Sequence, residues 1–144
     1  MSFLFDSSIY VNTFRIAGEA PVLFQRWERE SPLWLSSVVL EELYAGADRA
    51  ASRILTKLEH DFELAGRMLT PNHGDWTRAG KLLAKLGKKH GYEEIGRARL
   101  VNDALIATSA ARHGIIVITA NSRDFARLAE FCSLQWQTKA VNSG

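Results

Sequence analysis

Four carboxylates stand where a carboxylate is either costly or well placed for chemistry. Asp103 lies in "RARLVNDALIATSAARHG" (residues 97–114), where Leu100, Ala104, Ala107 and Ala111 recur at helical spacing and Val101, Leu105 and Ile106 widen the stripe. An ionised carboxylate taken out of water without a partner costs several kcal/mol, so Asp103 must be paired, metal-bound or protonated. Asp6 ends the apolar run "SFLFD", Glu42 follows "LWLSSVVL", and Asn121 and Asp124 follow "IIVIT" by two and five residues. Taken singly, each has an ordinary reading. Asp6 can cap a helix, Glu42 and Asp124 can complement a helix dipole, and Asp103 can pair with Arg97 or Arg99.

If the four acids share one site, their like charges repel and raise one another's pKa, a conflict that a divalent cation removes. Oxygen-only ligands suit Mg²⁺ or Mn²⁺ rather than zinc, and the four histidines (His60, His73, His90, His113) show no HExxH spacing. A metal held this way lowers the pKa of water, orients it and neutralises charge on a phosphodiester, which is what hydrolysis of a nucleic-acid backbone requires.

The elements that must position these acids are legible in the apolar pattern. Residues 2–6 read as a buried strand, with a helix from about Ser8. A helix over Val22 to Glu30 ends before Pro32, because the residue ahead of a proline is pushed out of the helical region. "LWLSSVVLEELYAGA" reads as a strand running into a helix, with Ser36 or Ser37 as N-cap, Glu41 and Glu42 in the first turns, and Gly46 as a stop. Helices over 48–67 and 75–90, broken by "TPNHGD", are expected to form a helical hairpin within roughly 48–90. The helix at 97–114 closes at Gly114, "IIVIT" is a central parallel strand, 121–131 a last helix, and "SLQWQ" an edge strand. Strands alternating with helices imply an α/β fold in three layers (α/β/α), with a central, mostly parallel sheet of four or five strands. Ligands bind such a sheet at the carboxyl ends of its strands, where Asp6, Glu42, Asp103, Asn121 and Asp124 are expected to meet.

Composition bounds the rest. The 144 residues, 47% of them hydrophobic, suffice for a single domain (1–144) with a sizeable core. There is no apolar run long enough to span a bilayer, and "MSFLFDSSIYV" does not read as a signal peptide, so no membrane association is expected. The one cysteine, Cys132, excludes an internal disulfide and fits a reducing cytoplasm. The net charge of +2 is uneven: residues 78–99 hold seven Lys/Arg against two acids. That segment either attracts a polyanion or is a solvated helix face. Arg97, Arg99 and Lys89 are candidate phosphate contacts; otherwise they solubilise or pair with Glu93 and Glu94. Trp27, Trp34, Trp76 and Trp136 are read as core or interface anchors before base-stacking platforms.

Four spaced blocks also carry a resemblance: "FLFDSSIYV", "LSSVVLEELYAGA", "LVNDALIATSAARHG" and "VITANSRDFARL". In this order and at these separations they resemble the PIN-domain nucleases and, within them, the VapC-type toxin ribonucleases of type II toxin–antitoxin systems. The resemblance covers almost the whole chain. It implies a PIN-like fold and an endoribonuclease that cleaves single-stranded RNA with Mg²⁺ or Mn²⁺, leaving a 5′-phosphate and a 3′-hydroxyl. It makes Asp6 and Asp103 the principal metal ligands, with Glu42 completing the site or acting as base and Asp124 as an outer ligand. Glu42 rather than Glu41 matches because it stands directly before Leu43, as in the family's usual "AEL". A homodimer and a small antitoxin that inserts a basic side chain or peptide among the carboxylates are further implications. Where the family usually reads Asp-Thr-Asn, this chain has Asp6-Ser7-Ser8, which keeps a hydroxyl at Ser7 and loses the Asn side chain; Ser7 and Asn121 are candidate supports around the metal, and the fourth block offers either Asn121 or Asp124 to reach it. Two rivals remain open. One is a catalytically silent PIN-like domain that binds RNA or a protein partner. The other is a different Mg²⁺ enzyme such as a phosphatase, against which stands the absence of a second aspartate after Asp6.

Overall fold

A computed structural model of the chain describes residues 1–11 and 32–138. The helix expected over 22–30, and Trp27 with it, lie outside the described residues. Five short strands form one sheet: β1 (Phe3–Phe5), β2 (Leu33–Ser36), β3 (Met68–Leu69), β4 (Ile116–Thr119) and β5 (Trp136–Thr138). Their order is β3-β2-β1-β4-β5 and every pairing is parallel. The central strands are apolar on both faces because helices cover both. All four residues of β4 are buried, as are Leu4 and Phe5 of β1 and Leu33 and Leu35 of β2.

Helix α1 opens at residue 7 and runs through residue 11 at the edge of the described residues. Then come α2 (Ser37–Ala45), α3 (Arg49–Leu64), α4 (His73–His90), α5 (Tyr92–Ala98), α6 (Val101–His113) and α7 (Ser122–Ala129). Their ends follow local chemistry. The Ser36 hydroxyl accepts the Val38 N–H, Asp48 caps α3 through the Ala51 N–H, and Asn72 and Asp75 form a reciprocal capping box on α4. Gly114 closes α6 in the left-handed region at φ 64°.

Four expectations are corrected. The helix expected over 97–114 is two helices, parted where Arg99 takes φ 51° and Leu100 caps α6, so Arg97 and Arg99 do not share a helix with Asp103. The segments at 48–67 and 75–90 do not form a helical hairpin. Gly66 and Arg67 leave α3 early, β3 pairs alongside β2 as a second edge strand, and α4 packs chiefly on α6 and α5. Glu41 and Glu42 lie beyond the first turn of α2, which holds no acid, so dipole compensation does not account for Glu42. Trp34 stacks on His113 and Trp136 packs on the core, whereas Trp76 is 58% exposed, so of its two expected roles, core or interface anchor, the core one does not hold.

β4 and the opening of α6 are where the sequence expected them, and "SLQWQ" yields the edge strand β5. Among the described residues no helix is long and apolar enough to cross a membrane.

Candidate active site

The strand order sets the site. From β1 the chain builds outward to β2 and β3 on one side, then returns to place β4 and β5 on the other. The sheet therefore reverses its direction of growth between β1 and β4, and the loops leaving those two strands splay apart to open a crevice. Phe5 pairs with Ile118 in register, and the Asp6 N–H donates to the Ile118 carbonyl (3.0 Å), so Asp6 and Thr119 follow as neighbours at the mouth of that crevice.

An open pocket of about 420 Å³ lies there, lined by Asp6, Ser7, Ser8, Val11, Glu42, Ala98, Asp103, Asn121 and Asp124. The four acids named from the sequence are thus brought together from the end of β1 and from α2, α6 and α7, and Ser7 and Asn121 join them. Glu41 is exposed, which agrees with the choice of Glu42.

Asp6 is buried and held on both oxygens. Oδ1 accepts the Ser8 N–H (3.1 Å) and the Ser8 hydroxyl; Oδ2 accepts the Thr119 hydroxyl at 2.6 Å. Asp6 therefore both caps α1 and lines the pocket. Burial raises its pKa, against the lowering effect of Ser8, Thr119 and the Ile9 N–H. Burial likewise raises Glu42, opposed by the side chains of Ser7 and Asn102 and reinforced by the charges of Asp6 and Glu41. One Glu42 oxygen, Oε1, is buried without a hydrogen-bond partner. Asp103, in the first turn of α6, is raised from 3.8 to about 7 by burial first and then by the charges of Asp6, Glu42 and Asp124. Asp124, in the first turn of α7, accepts a hydrogen bond from Asn121 Nδ2 at 2.7 Å, so the two act as one unit.

The carboxylates repel one another in this pocket, a conflict that a cation held among them would relieve. Among the described residues no cation pairs with any of the four acids, which disposes of the salt bridge from Asp103 to Arg97 or Arg99. The donor set is all oxygen, as Mg²⁺ or Mn²⁺ prefers, and Glu42 Oε1 is an orphan acceptor at the pocket. Among the described residues no three acids are yet set in ligating positions around one point. What exists is a shared, charge-frustrated pocket.

Three contributors escaped the sequence reading: Thr119, Ser8 and Asn102. Thr119 donates to Asp6 and accepts the Asn121 N–H (2.8 Å), while the Ser8 hydroxyl accepts the Ala120 N–H (3.0 Å). Together they lash the end of β1 to the end of β4, and Ser8 supplies a polar tether where the resembling family has Asn. In the sequence, the hydroxyl residue that ends the otherwise apolar run "IIVIT" is the signal that could have pointed to this role, and in the fold Thr119 is fully buried. Conversely, none of Lys89, Arg97 and Arg99 lines the pocket. Lys89 pairs with Glu130 instead of Glu93 or Glu94, Arg97 lies 3.7 Å from Glu93 on an exposed helix face, and Arg99 is exposed just past the pocket-lining Ala98.

Comparison with known proteins bears on the fold and the family. The chain is similar in structure to a DNA-bound VapBC from Salmonella typhimurium (22% identity, TM-score 0.65, covering 96% of this chain and 98% of that one). It is similar to VapBC2 from Rickettsia felis bound to a promoter DNA fragment (21%, 0.65, 97% and 100%) and to VapBC-1 from nontypeable Haemophilus influenzae (22%, 0.62, 96% and 98%). No curated protein sequence matches it. The family model described as PIN domain matches residues 3–131, well over half of the sequence, and the chain belongs to the PIN domain family.

Proposed function

We propose that the protein is a divalent-metal-dependent endoribonuclease that cleaves single-stranded RNA, and that it is the toxin of a toxin–antitoxin pair. The observation that carries the nuclease reading is the convergence of Asp6, Glu42, Asp103 and Asp124 on one pocket without a countercharge among the described residues. The toxin reading is supported by the likeness to VapBC structures.

Asp6 and Asp103 would hold Mg²⁺ or Mn²⁺, with Glu42 completing the set through Oε1 and Asp124 lying further out. The bound ion supplies Lewis acidity, which lowers the pKa of the attacking water and neutralises charge on the scissile phosphodiester. The protein's own groups do the rest. Ser8 and Thr119 keep the Asp6 oxygens in place, and Asn121 fixes Asp124. If Glu42 does not complete the ligand set, its carboxylate, raised in pKa by burial and lining the same pocket, is the group to accept the water's proton. The family also suggests a cytoplasmic homodimer and a small antitoxin whose basic side chain would enter the pocket and supply the countercharge.

Purified protein incubated with single-stranded RNA should cleave it with Mg²⁺ or Mn²⁺ and not with EDTA, and Asp103→Asn should abolish cleavage. An Asp103→Asn variant as active as wild type would overturn the assignment. RNA binding without cleavage, indifferent to Asp6→Ala, would instead identify a silent PIN-like domain.

A further inference from the structure

The basic segment at 78–99 divides in the folded protein. Lys89 and Arg97 pair with acids and line neither the carboxylate pocket nor the groove, whereas Arg78, held by the buried Asp75, lines with Lys81 and Lys85 one side of a groove of about 510 Å³ along α4. Arg112 from the last turn of α6 joins them, and Phe131 forms part of the wall. No carboxylate lines the groove, and among the described residues Lys81 and Lys85 are both exposed with no ion pair.

The two arginines are built in rather than loose. Asp75, fully buried behind the groove, accepts from Arg112 Nε and Nη2 (3.0 and 2.9 Å) and from Arg78 Nη2, and is itself locked by the Asn72 capping box. Burial works to raise the Asp75 pKa, but Arg112, the Asn72 N–H and Arg78 outweigh it and hold the group ionised. One buried negative charge thus orients two guanidinium groups and leaves a net positive groove.

The groove is placed to serve the carboxylate pocket. Helices α6 and α7 each begin at that pocket, with Asp103 and Asp124 in their first turns, and each runs toward the groove, reached at Arg112 and just past the end of α7 at Phe131. At 1.5 Å per residue, Asp103 and Arg112 are separated by about 13 Å along the helix axis. Phe131 is 42% exposed, with Lys89 Nζ 5.8 Å from its ring centroid, and an exposed aromatic among cations is the combination on which single-stranded nucleic acid stacks its bases while its phosphates meet Lys and Arg. An acidic peptide would use the cations but has no need of the ring.

We propose that the groove between α4, the end of α6 and residues 131–133 binds the backbone of single-stranded RNA, as a second contact for a strand whose scissile phosphate lies at the carboxylates. The idea rests on the ribonuclease reading for its choice of ligand, but its test does not depend on cleavage.

Binding of a fluorescein-labelled single-stranded RNA is measured by fluorescence anisotropy in EDTA, across a range of salt concentrations. The variants are Lys81→Ala/Lys85→Ala and Phe131→Ala, each checked by its melting temperature. Loss of two phosphate contacts should flatten the slope of log K against log salt by about 1.4 and weaken binding roughly tenfold at low salt. Phe131→Ala should weaken binding about fivefold or more without changing the slope. Unchanged affinity and slope in Lys81→Ala/Lys85→Ala would overturn the proposal. So would poly-L-glutamate binding as tightly as RNA together with an unaffected Phe131→Ala, which would assign the groove to an acidic polypeptide. A protein that cuts no RNA but binds it through these residues would refute the nuclease reading and leave the groove assignment standing.

Discussion

The Thr119 hydroxyl donates to Asp6 Oδ2 at 2.6 Å, joining the ends of two strands that are 113 residues apart in sequence and adjacent in the sheet. The same oxygen accepts the Asn121 N–H, so one buried hydroxyl fixes both a pocket carboxylate and the loop that carries Asn121 and Asp124. Replacing Thr119 with Val keeps the shape and removes the bond.

Thr119→Val should therefore weaken Mn²⁺ binding by about 10- to 100-fold, the usual effect of removing a group that orients a ligand, and lower RNA cleavage with it. It also takes away the acceptor of the half-buried Asn121 N–H, at about 1 kcal/mol of stability. Thr119→Ser, which retains the hydroxyl, should preserve most of both. Calorimetric titration with Mn²⁺ checks this, and equal affinities for Thr119→Val and wild type would show that Asp6 needs no such support.

Asp103 titrates near 7 in the folded protein and near 3.8 otherwise. Its folded-state pKa is raised, so the stability it contributes is present below about 3.8 and is lost as pH rises to about 7, where the folded protein must also ionise it. Asp103→Asn, which imitates the protonated form, should match wild type in melting temperature at about pH 4 and exceed it above about pH 7, by on the order of a few kcal/mol without divalent cation. Added Mn²⁺ should then stabilise wild type more at high pH than at low pH, and should stabilise Asp103→Asn little. A variant no more stable than wild type at high pH would mean that the carboxylates do not strain one another.

Gly87 lies in α4, where an alanine would ordinarily gain about 0.5–1 kcal/mol. Here a Cβ would stand 2.4 Å from the Tyr92 ring. Gly87→Ala is expected to cost about 1–3 kcal/mol, and adding Tyr92→Ala should relieve most of that. Gly80→Ala, on the same helix with open space around it, should stabilise. Chemical denaturation of the three variants tests whether the turn from α4 into α5 packs as described.

Much of the site was legible because its signals are local. An acid against an apolar stripe (Asp103), an acid ending a buried strand (Asp6) and the blocks carrying Glu42 and Asp124 can each be read within a dozen residues. The periods of strand and helix indicate which end of the sheet these groups reach. The break at Arg99 was not legible, because a residue in the left-handed region leaves no mark in an apolar pattern that continues across it. β3 was missed because two residues are too short to show alternation.

The amino-acid sequence by itself determined a parallel α/β fold with carboxylates gathered at the carboxyl ends of its strands. Only the tertiary structure decided that β1 and β4 are neighbours, and hence that the crevice opens beside Asp6. It alone decided that Thr119 and Ser8 tie this edge together, that Lys89 is taken by Glu130, and that Asp75 aligns Arg78 and Arg112 along a groove. The physical reason is range. Side-chain periodicity is set by backbone geometry over a few residues, whereas strand order and ion-pair partners come from contacts dozens of residues apart, each worth little alone and selected only when the whole core closes.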